Sequence, residues 1–480
     1  MEENWNEINP EFKPDTRSES RPRRRPKTKA EIFKETTLPL IILAVSALLI
    51  VIFIIGSISR AVQKKNIDRD ASIAVSESIA QEEARLSVEM KQILREAEEL
   101  ATGYAYDEAI ARVMSFSGNI GGYPALQDAL ARYEYGKQSL VLWEDPTKIV
   151  NLSFQMLIAD PERAFNHSDW GNSLLRNYIT TNEFRTILDR LYENDYILVS
   201  LDDFVNVTTD SNGVTNYSYK ELYLPQGKKP LMLTQTNVNY NTYLVDSDGD
   251  LVADSGGVGI ASRLVLDPDG NVTCEMVMAD GSVTTGQYDL IPILDAFVKE
   301  NPDFSYGGAK AVIGLTGYNG LFGYRTDAEG RSHFGEEQYA QNVADVQAIA
   351  EALRKSGYDL GCYTYKNSAY GSHDLSMIQA EMNSWNSEVV PILGNLDIMV
   401  LAQESDISSG MIYSGNKYNY LKSCGFNYFL GYGTDGVPFT FIAEDYIHQG
   451  RLMVSGKYIA YNENRFINLF DTDNLLEYSR

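Results

Sequence analysis

The sequence predicts an α/β fold, a parallel sheet with βα crossovers that is open or closed into a barrel, carried behind one membrane-crossing helix. Three observations predict it. An uncharged, almost wholly aliphatic run occupies residues 36–59. A helical stretch free of Gly and Pro follows at 76–100. From Trp143 onward short apolar segments alternate with amphipathic ones, the pattern of βα units.

Residues 1–35 form a tail with nine Lys/Arg and eight Asp/Glu. Pro22 and Pro26 inside its basic cluster argue against a helix there. The run at 36–59 would span roughly 36 Å as a helix, enough for a hydrocarbon core of about 30 Å. A cleaved signal peptide has a shorter apolar region and a shorter leader. Seven basic residues from Arg21 to Lys34 closely precede the run, and only Arg60, Lys64 and Lys65 closely follow it. The positive-inside bias therefore places the N-terminus in the cytoplasm, the chain in the cell membrane as a single-pass protein, and the C-terminal domain outside. The lipid bilayer is the first expected partner.

Residues 60–142 read as a helical stalk. The segments YDEAIARVMSFSG and YPALQDALARYEYGK, parted by Gly118, Gly121 and Gly122, form one hairpin of the tetratricopeptide kind. One such unit cannot build a solenoid. Residues 143–480 form the large domain. Its expected strands are KIVNLSFQMLI, YILVSLDDFV, KPLMLTQTNV, AKAVIGLTG, YDLGCYTY, LDIMVLAQ and FNYFLGYG. Helical segments such as EFRTILDRLYEN and YAQNVADVQAIAEALRKSG lie between several of them. Two Asp-Gly turns, in DPDG and ADGS, mark an antiparallel excursion inserted in this pattern.

Composition excludes some functions. The formal net charge is −25, and the residues after 35 hold 32 basic against 58 acidic side chains. Such a surface repels phosphate backbones, so nucleic acid is not an expected partner. Cys274, Cys362 and Cys424 are too few and odd in number for a disulfide framework. Free thiols are the reading favoured over a Cys362–Cys424 bridge. Asp246, Asp248, Asp250 and Asp254 alternate as calcium ligands can. The Gly at loop position four and Gly257 at position twelve favour an ordinary acidic loop instead.

From Trp143 to Arg480, roughly 70% of the chain, the order of segments resembles the polysaccharide deacetylase (NodB-homology) family in its membrane-anchored Gram-positive branch. The matching text is LIADPERAF, TTNEFRTILDRLYENDYILVSLDDF, LPQGKKPLMLTQTNVNY, AVIGLTGYNGLFGYRTD, GYDLGCYTY, YLKSCGFNYFLGYG and LFDTDNLLEYSR. The resemblance implies a distorted (β/α) barrel of the glycoside hydrolase/deacetylase type. It implies a general-base Asp, and a divalent metal, commonly zinc, held by a second Asp and two His, which polarises an acetamide and activates water.

The motif positions are changed here. Thr236 stands at the base position and Asn237 at the first ligand, while Tyr363 and Asn367 fill the two His positions. Ala402, Gln403 and Glu404 replace a Pro-aromatic-Gly turn. Neutral oxygens cancel none of an ion's charge, and Thr is no base near neutral pH. The ancestral metal is expected to be lost, with no cofactor in its place. The four histidines, His167, His333, His373 and His448, sit in polar, loop-like text and do not rebuild the site.

The expected protein is a catalytically inactive, deacetylase-like domain displayed outside the membrane. It binds cell-envelope glycan or an envelope protein through a cleft lined by Asn237, Asn239, Tyr240, Tyr363, Tyr365 and Asn367. Two alternatives are an active deacetylase with a reworked site, and an assembly factor acting through the stalk.

Overall fold

The structure, a computed structural model, describes residues 28–432 and 437–480. The chain divides into two compact units, 1–87 and 88–480. The irregular course expected around Pro22 and Pro26 lies outside the described residues.

In the first unit, Lys29–Ile32 is one α-helical turn and Phe33–Thr37 a π-helical one. Helix α1, Leu38–Thr102, begins in this unit and ends in the second. The expected span and the first stalk helix are thus one element. It contains a window of mean hydropathy 3.2, none of it buried, long and apolar enough to cross a bilayer. Within it the Ser46 and Ser57 hydroxyls donate to carbonyls one turn back, at 2.6 and 2.7 Å. Such bonds spare polar groups in an apolar medium.

In the second unit, the end of α1 packs against α2 (Tyr106–Met114) and α3 (Pro124–Gln138). Ile93, Ala97, Ala109, Val113, Leu126 and Ala129 are buried between them. Their i, i+3 and i+4 spacing gives each helix one apolar face. Arg112 pairs with Glu96 at 2.5 Å, and the Tyr133 hydroxyl donates to Glu98 at 2.8 Å. This bundle meets the barrel where Gly307 N–H donates to the Gly103 carbonyl at 2.7 Å and Tyr104 stacks on Tyr306.

The barrel is a closed ring of seven parallel strands. They are β1 (Val150–Phe154), β2 (Lys229–Thr236), β3 (Ala311–Leu315), β4 (Asp359–Cys362), β5 (Ile398–Val400), β6 (Tyr428–Tyr432) and β7 (Ile447–Met453). Pairing of β1 with β2 on one side and β7 on the other completes the ring. A short strand, Tyr196–Leu198, pairs with Lys229–Leu231, while β3 takes the same edge of β2 from Leu233 on. That place in the ring is shared between two strands, which is the barrel's distortion. The α/β class and the barrel expected from the sequence are the observed architecture.

The crossover helices bury one stripe each. Thr181–Glu193 buries Phe184, Ile187, Leu188 and Leu191, and starts with a Thr180/Glu183 capping box. The two Asp-Gly turns join Arg263–Leu266, Val272–Val277 and Val283–Gly286 into the expected antiparallel insert. Gly270 and Gly281 adopt φ of 84° and 82° at these turns, a conformation glycine enters without strain.

The sequence reading missed β7, and it misplaced His448. That histidine is on β7, 1% exposed, with Nε2 2.9 Å from the Tyr413 hydroxyl and 3.2 Å from Asp406. His333 likewise lies on a helix, Ala328–Lys355, not in a loop. Strand β7 reads as polar because Gln449 and Arg451 face a polar barrel interior. Asn151 donates to Gln449 at 2.8 Å, and Arg451 donates to the Ser153 hydroxyl at 2.8 Å. All three cysteines are free thiols.

Candidate functional site

Parallel strands deliver their C-terminal ends and the following loops to one face of a barrel, and functional side chains gather there. A cleft of about 550 Å³ opens on that face. Gln155 follows β1, Asn237 follows β2, Tyr363 and Asn367 follow β4, and Gln403 and Glu404 follow β5. Tyr432 ends β6, and Ser455, Lys457 and Tyr458 come from just beyond β7. Trp170, Asn177 and Tyr178, on and beside the helix Gly171–Asn177, and Tyr243 complete the wall.

The expected positions divide. Asn237, Tyr363, Asn367 and Gln403 line the cleft together. Thr236 lies fully buried at the end of β2, its hydroxyl donating to the Phe154 carbonyl at 3.2 Å. Asn239, Tyr240 and Tyr365 do not line it. Asn239 is spent on a turn, where its side chain bonds the carbonyl of Thr316 at 2.5 Å and accepts from Thr316 N–H at 2.9 Å. The Tyr240 hydroxyl donates to Asp289 at 2.7 Å, beneath β2. Asp289 also accepts from the Leu157 and Leu290 amides and Gln235, so this buried carboxyl, pushed up by burial, is fully satisfied. The Tyr365 hydroxyl turns outward to Glu388 at 2.6 Å.

Burial pushes the Tyr363 phenol well above its ordinary range, so it is neutral. Asn237 accepts from the Asn241 amide at 3.1 Å. Thr236, Asn237, Tyr363 and Asn367 therefore offer neutral oxygens, those of Thr236 and Asn237 already engaged. That donor set does not suit a divalent cation, which wants carboxylate or imidazole. The one carboxylate lining the cleft, Glu404, accepts from the Tyr458 hydroxyl at 2.6 Å. Among the described residues, the atoms left without a partner here are Gln155 Oε1, Asn367 Oδ1 and the Tyr432 hydroxyl, all buried. They are hydrogen-bonding groups for a polar, uncharged ligand surface.

The sequence reading missed Gln155, Trp170, Tyr178, Tyr243, Tyr432 and Tyr458. Position just after a strand end was the available signal for Gln155, while Trp170 and Tyr243 carried none. Those two rings lie 5.5 Å apart at the cleft edge.

Of the calcium candidates, Asp246, Asp248 and Asp254 bring oxygens within 4.8 Å of one another, and Asp250 is not in that group. Their carboxylates already accept backbone N–H groups. Asp246 takes those of Asp248, Gly249 and Leu251, and Asp254 takes those of Ser247 and Gly256.

Fold and site together define a closed parallel α/β barrel with an aromatic and amide-lined cleft at its strand ends. No family model matches the chain, and no curated protein matches its sequence. Among solved structures the chain is similar to a Streptococcus pyogenes deacetylase, PplD, in complex with acetate. The identity is 12%, over 68% of this chain and 100% of that one, with a TM-score of 0.34.

Proposed function

We propose that this chain is a membrane-anchored, deacetylase-like protein whose barrel binds cell-envelope glycan without hydrolysing it. The observation that carries this reading is the composition of the cleft. Six aromatic side chains and five amides line it, against one carboxylate and one lysine. Aromatic faces take the apolar faces of sugar rings, and amides read hydroxyls as both donors and acceptors. The segment order shared with polysaccharide deacetylases supports the kinship, and neutral residues at the motif positions support the loss of hydrolysis. The apolar helix and its basic N-terminal flank support an anchor with the barrel outside the cell.

The test is glycan binding by the full-length chain in lipid nanodiscs. Trp170→Ala and Tyr458→Ala should each weaken the best glycan by about tenfold, the loss of roughly 1.4 kcal/mol of stacking and burial. Absence of binding, or affinity indifferent to both changes, overturns the cleft reading. Release of acetate from an acetylated chitooligosaccharide by metal-loaded protein would overturn the non-catalytic reading.

A further inference from the structure

We propose that His448, Asp406 and Tyr413 form a proton-operated latch, which fixes the segment after β5 in acid and loosens it as His448 loses its proton. His448 stands on β7, while Asp406, Met411 and Tyr413 belong to the stretch between β5 and the helix Asn416–Ser423. Both ring nitrogens of His448 face groups of that stretch. Nδ1 lies 2.9 Å from the Met411 carbonyl. Nε2 lies 3.2 Å from Asp406 Oδ2 and 2.9 Å from the Tyr413 hydroxyl. A carbonyl can only accept, so Nδ1 carries a proton. The Tyr413 hydroxyl gives its own proton to Asp406 Oδ1 at 2.6 Å, which leaves acceptors around Nε2. A neutral ring would point a lone pair at a carboxylate there, whereas the imidazolium donates at both ends and pairs with it.

The pair is enclosed, with the His448 side chain 1% exposed and that of Asp406 10%. Burial alone would raise the Asp406 carboxyl, yet His448, Tyr413 and the Tyr432 amide hold it below its ordinary value. The Phe439 ring meets His448 edge-on, 4.8 Å between centres, and brings no charge. On β6, Gly431 lies where a Cβ would collide with the Asp406 carboxylate, so the small residue admits the pair. The other ionisable groups beside it are Tyr446, whose hydroxyl accepts from Tyr413 N–H at 2.7 Å, and Arg451, further along β7 and turned to Ser153. A partner gained on folding favours the imidazolium. Its contribution is therefore present in acid and is lost as pH rises through about 5 to 8, where imidazole changes charge. The latch bears on the cleft because Asp406 Oδ2 also accepts from Tyr432 N–H at 3.0 Å. Tyr432 lines the cleft together with Gln403 and Glu404, just ahead of Asp406. That these groups receive glycan rests on the reading above; the latch itself does not, and its test needs no ligand.

The experiment is hydrogen exchange of the full-length protein in nanodiscs at about pH 5 and about pH 8. Rates are corrected for intrinsic exchange, and the amides of β2 report opening of the whole barrel. The Ser408 and Tyr432 amides both donate to Asp406. Their protection relative to β2 should fall at least about tenfold at the higher pH, the scale of one hydrogen bond to a charged group. Asp406→Asn should remove the fall, and Tyr413→Phe, which spares the charge pair, should keep it. Equal protection at both pH values, or a fall of the same size in Asp406→Asn, overturns the latch. The wild-type profile decides alone where a variant does not fold. Glycan binding without the fall ends the latch and leaves the cleft reading standing, and the fall without glycan binding does the reverse.

Discussion

Asn237 follows the last residue of β2 with φ of 64°, and Thr364, Asn367, Gln403 and Glu404 also hold positive φ just beyond β4 and β5. Left-handed backbone costs an L-residue about 1–2 kcal/mol, and Asn tolerates it best after Gly. Five such residues just beyond three barrel strands, four of them lining the cleft, mean that the surrounding barrel forces the loops into these shapes. The barrel thus holds these loop conformations around side chains that suit no metal. Gln403→Gly should be neutral or stabilising by up to about 1 kcal/mol, whereas Gln403→Val should cost at least that much. Thermal unfolding of the two variants reads the difference, and equal melting temperatures would contradict it. Asn237, Tyr363 and Asn367, which line the cleft, were legible in the sequence because each stands in a local string. Asn239, Tyr240 and Tyr365 belong to the same strings, yet Asp289, Glu388 and the 316–320 turn draw them elsewhere.

Individual elements are held by buried ionisable groups that no periodicity reveals. Arg480 pairs with Glu183 at 2.5 Å with both side chains fully buried, tying the C-terminal segment to the helix Thr181–Glu193. Breaking a buried pair by removing one partner leaves a stranded charge, so Arg480→Leu should cost about 3–5 kcal/mol in chemical denaturation. A loss below about 1 kcal/mol would show the pair to be solvated. At the start of β4, burial and then the neighbouring Asp202, Asp397 and Asp203 push the Asp359 carboxyl up to about 7. Its folded-state value exceeds the unfolded one, so the folded chain keeps a proton that the unfolded chain releases. The stability from this group is full below pH 3.8 and is lost as pH rises through about 7. The slope is about 1.4 kcal/mol per pH unit in that window. Asp359→Asn should flatten this slope, and a slope unchanged in the variant would disprove the assignment.

The whole barrel depends on contacts between its ends. Asn151 on β1 reaches Gln449 on β7, Thr180 reaches Glu477, and Phe466, Leu469, Phe470 and Leu475 are buried at 0–5% exposure. Burying each such side chain is worth about 1.5–3 kcal/mol, and a domain's net stability is only about 5–15 kcal/mol. Truncation after Tyr461 should therefore abolish cooperative unfolding altogether, as circular dichroism melts would show. A truncated chain that still melts in one sharp step would refute this.

The α/β alternation, the antiparallel insert, the apolar helix and the neutral residues at 237, 363 and 367 were legible in the linear chain. Each is a property of neighbours: period, turn chemistry, hydropathy or a short string. Tertiary structure alone decided ring closure by β7, whose polar Gln449 and Arg451 find partners only in the polar barrel interior. It alone gathered Trp170, Tyr243, Tyr432 and Tyr458 around one cleft. Side chains from the ends of four separate strands and the segments after them meet only because parallel strands release them at the same end, and no local pattern encodes that meeting.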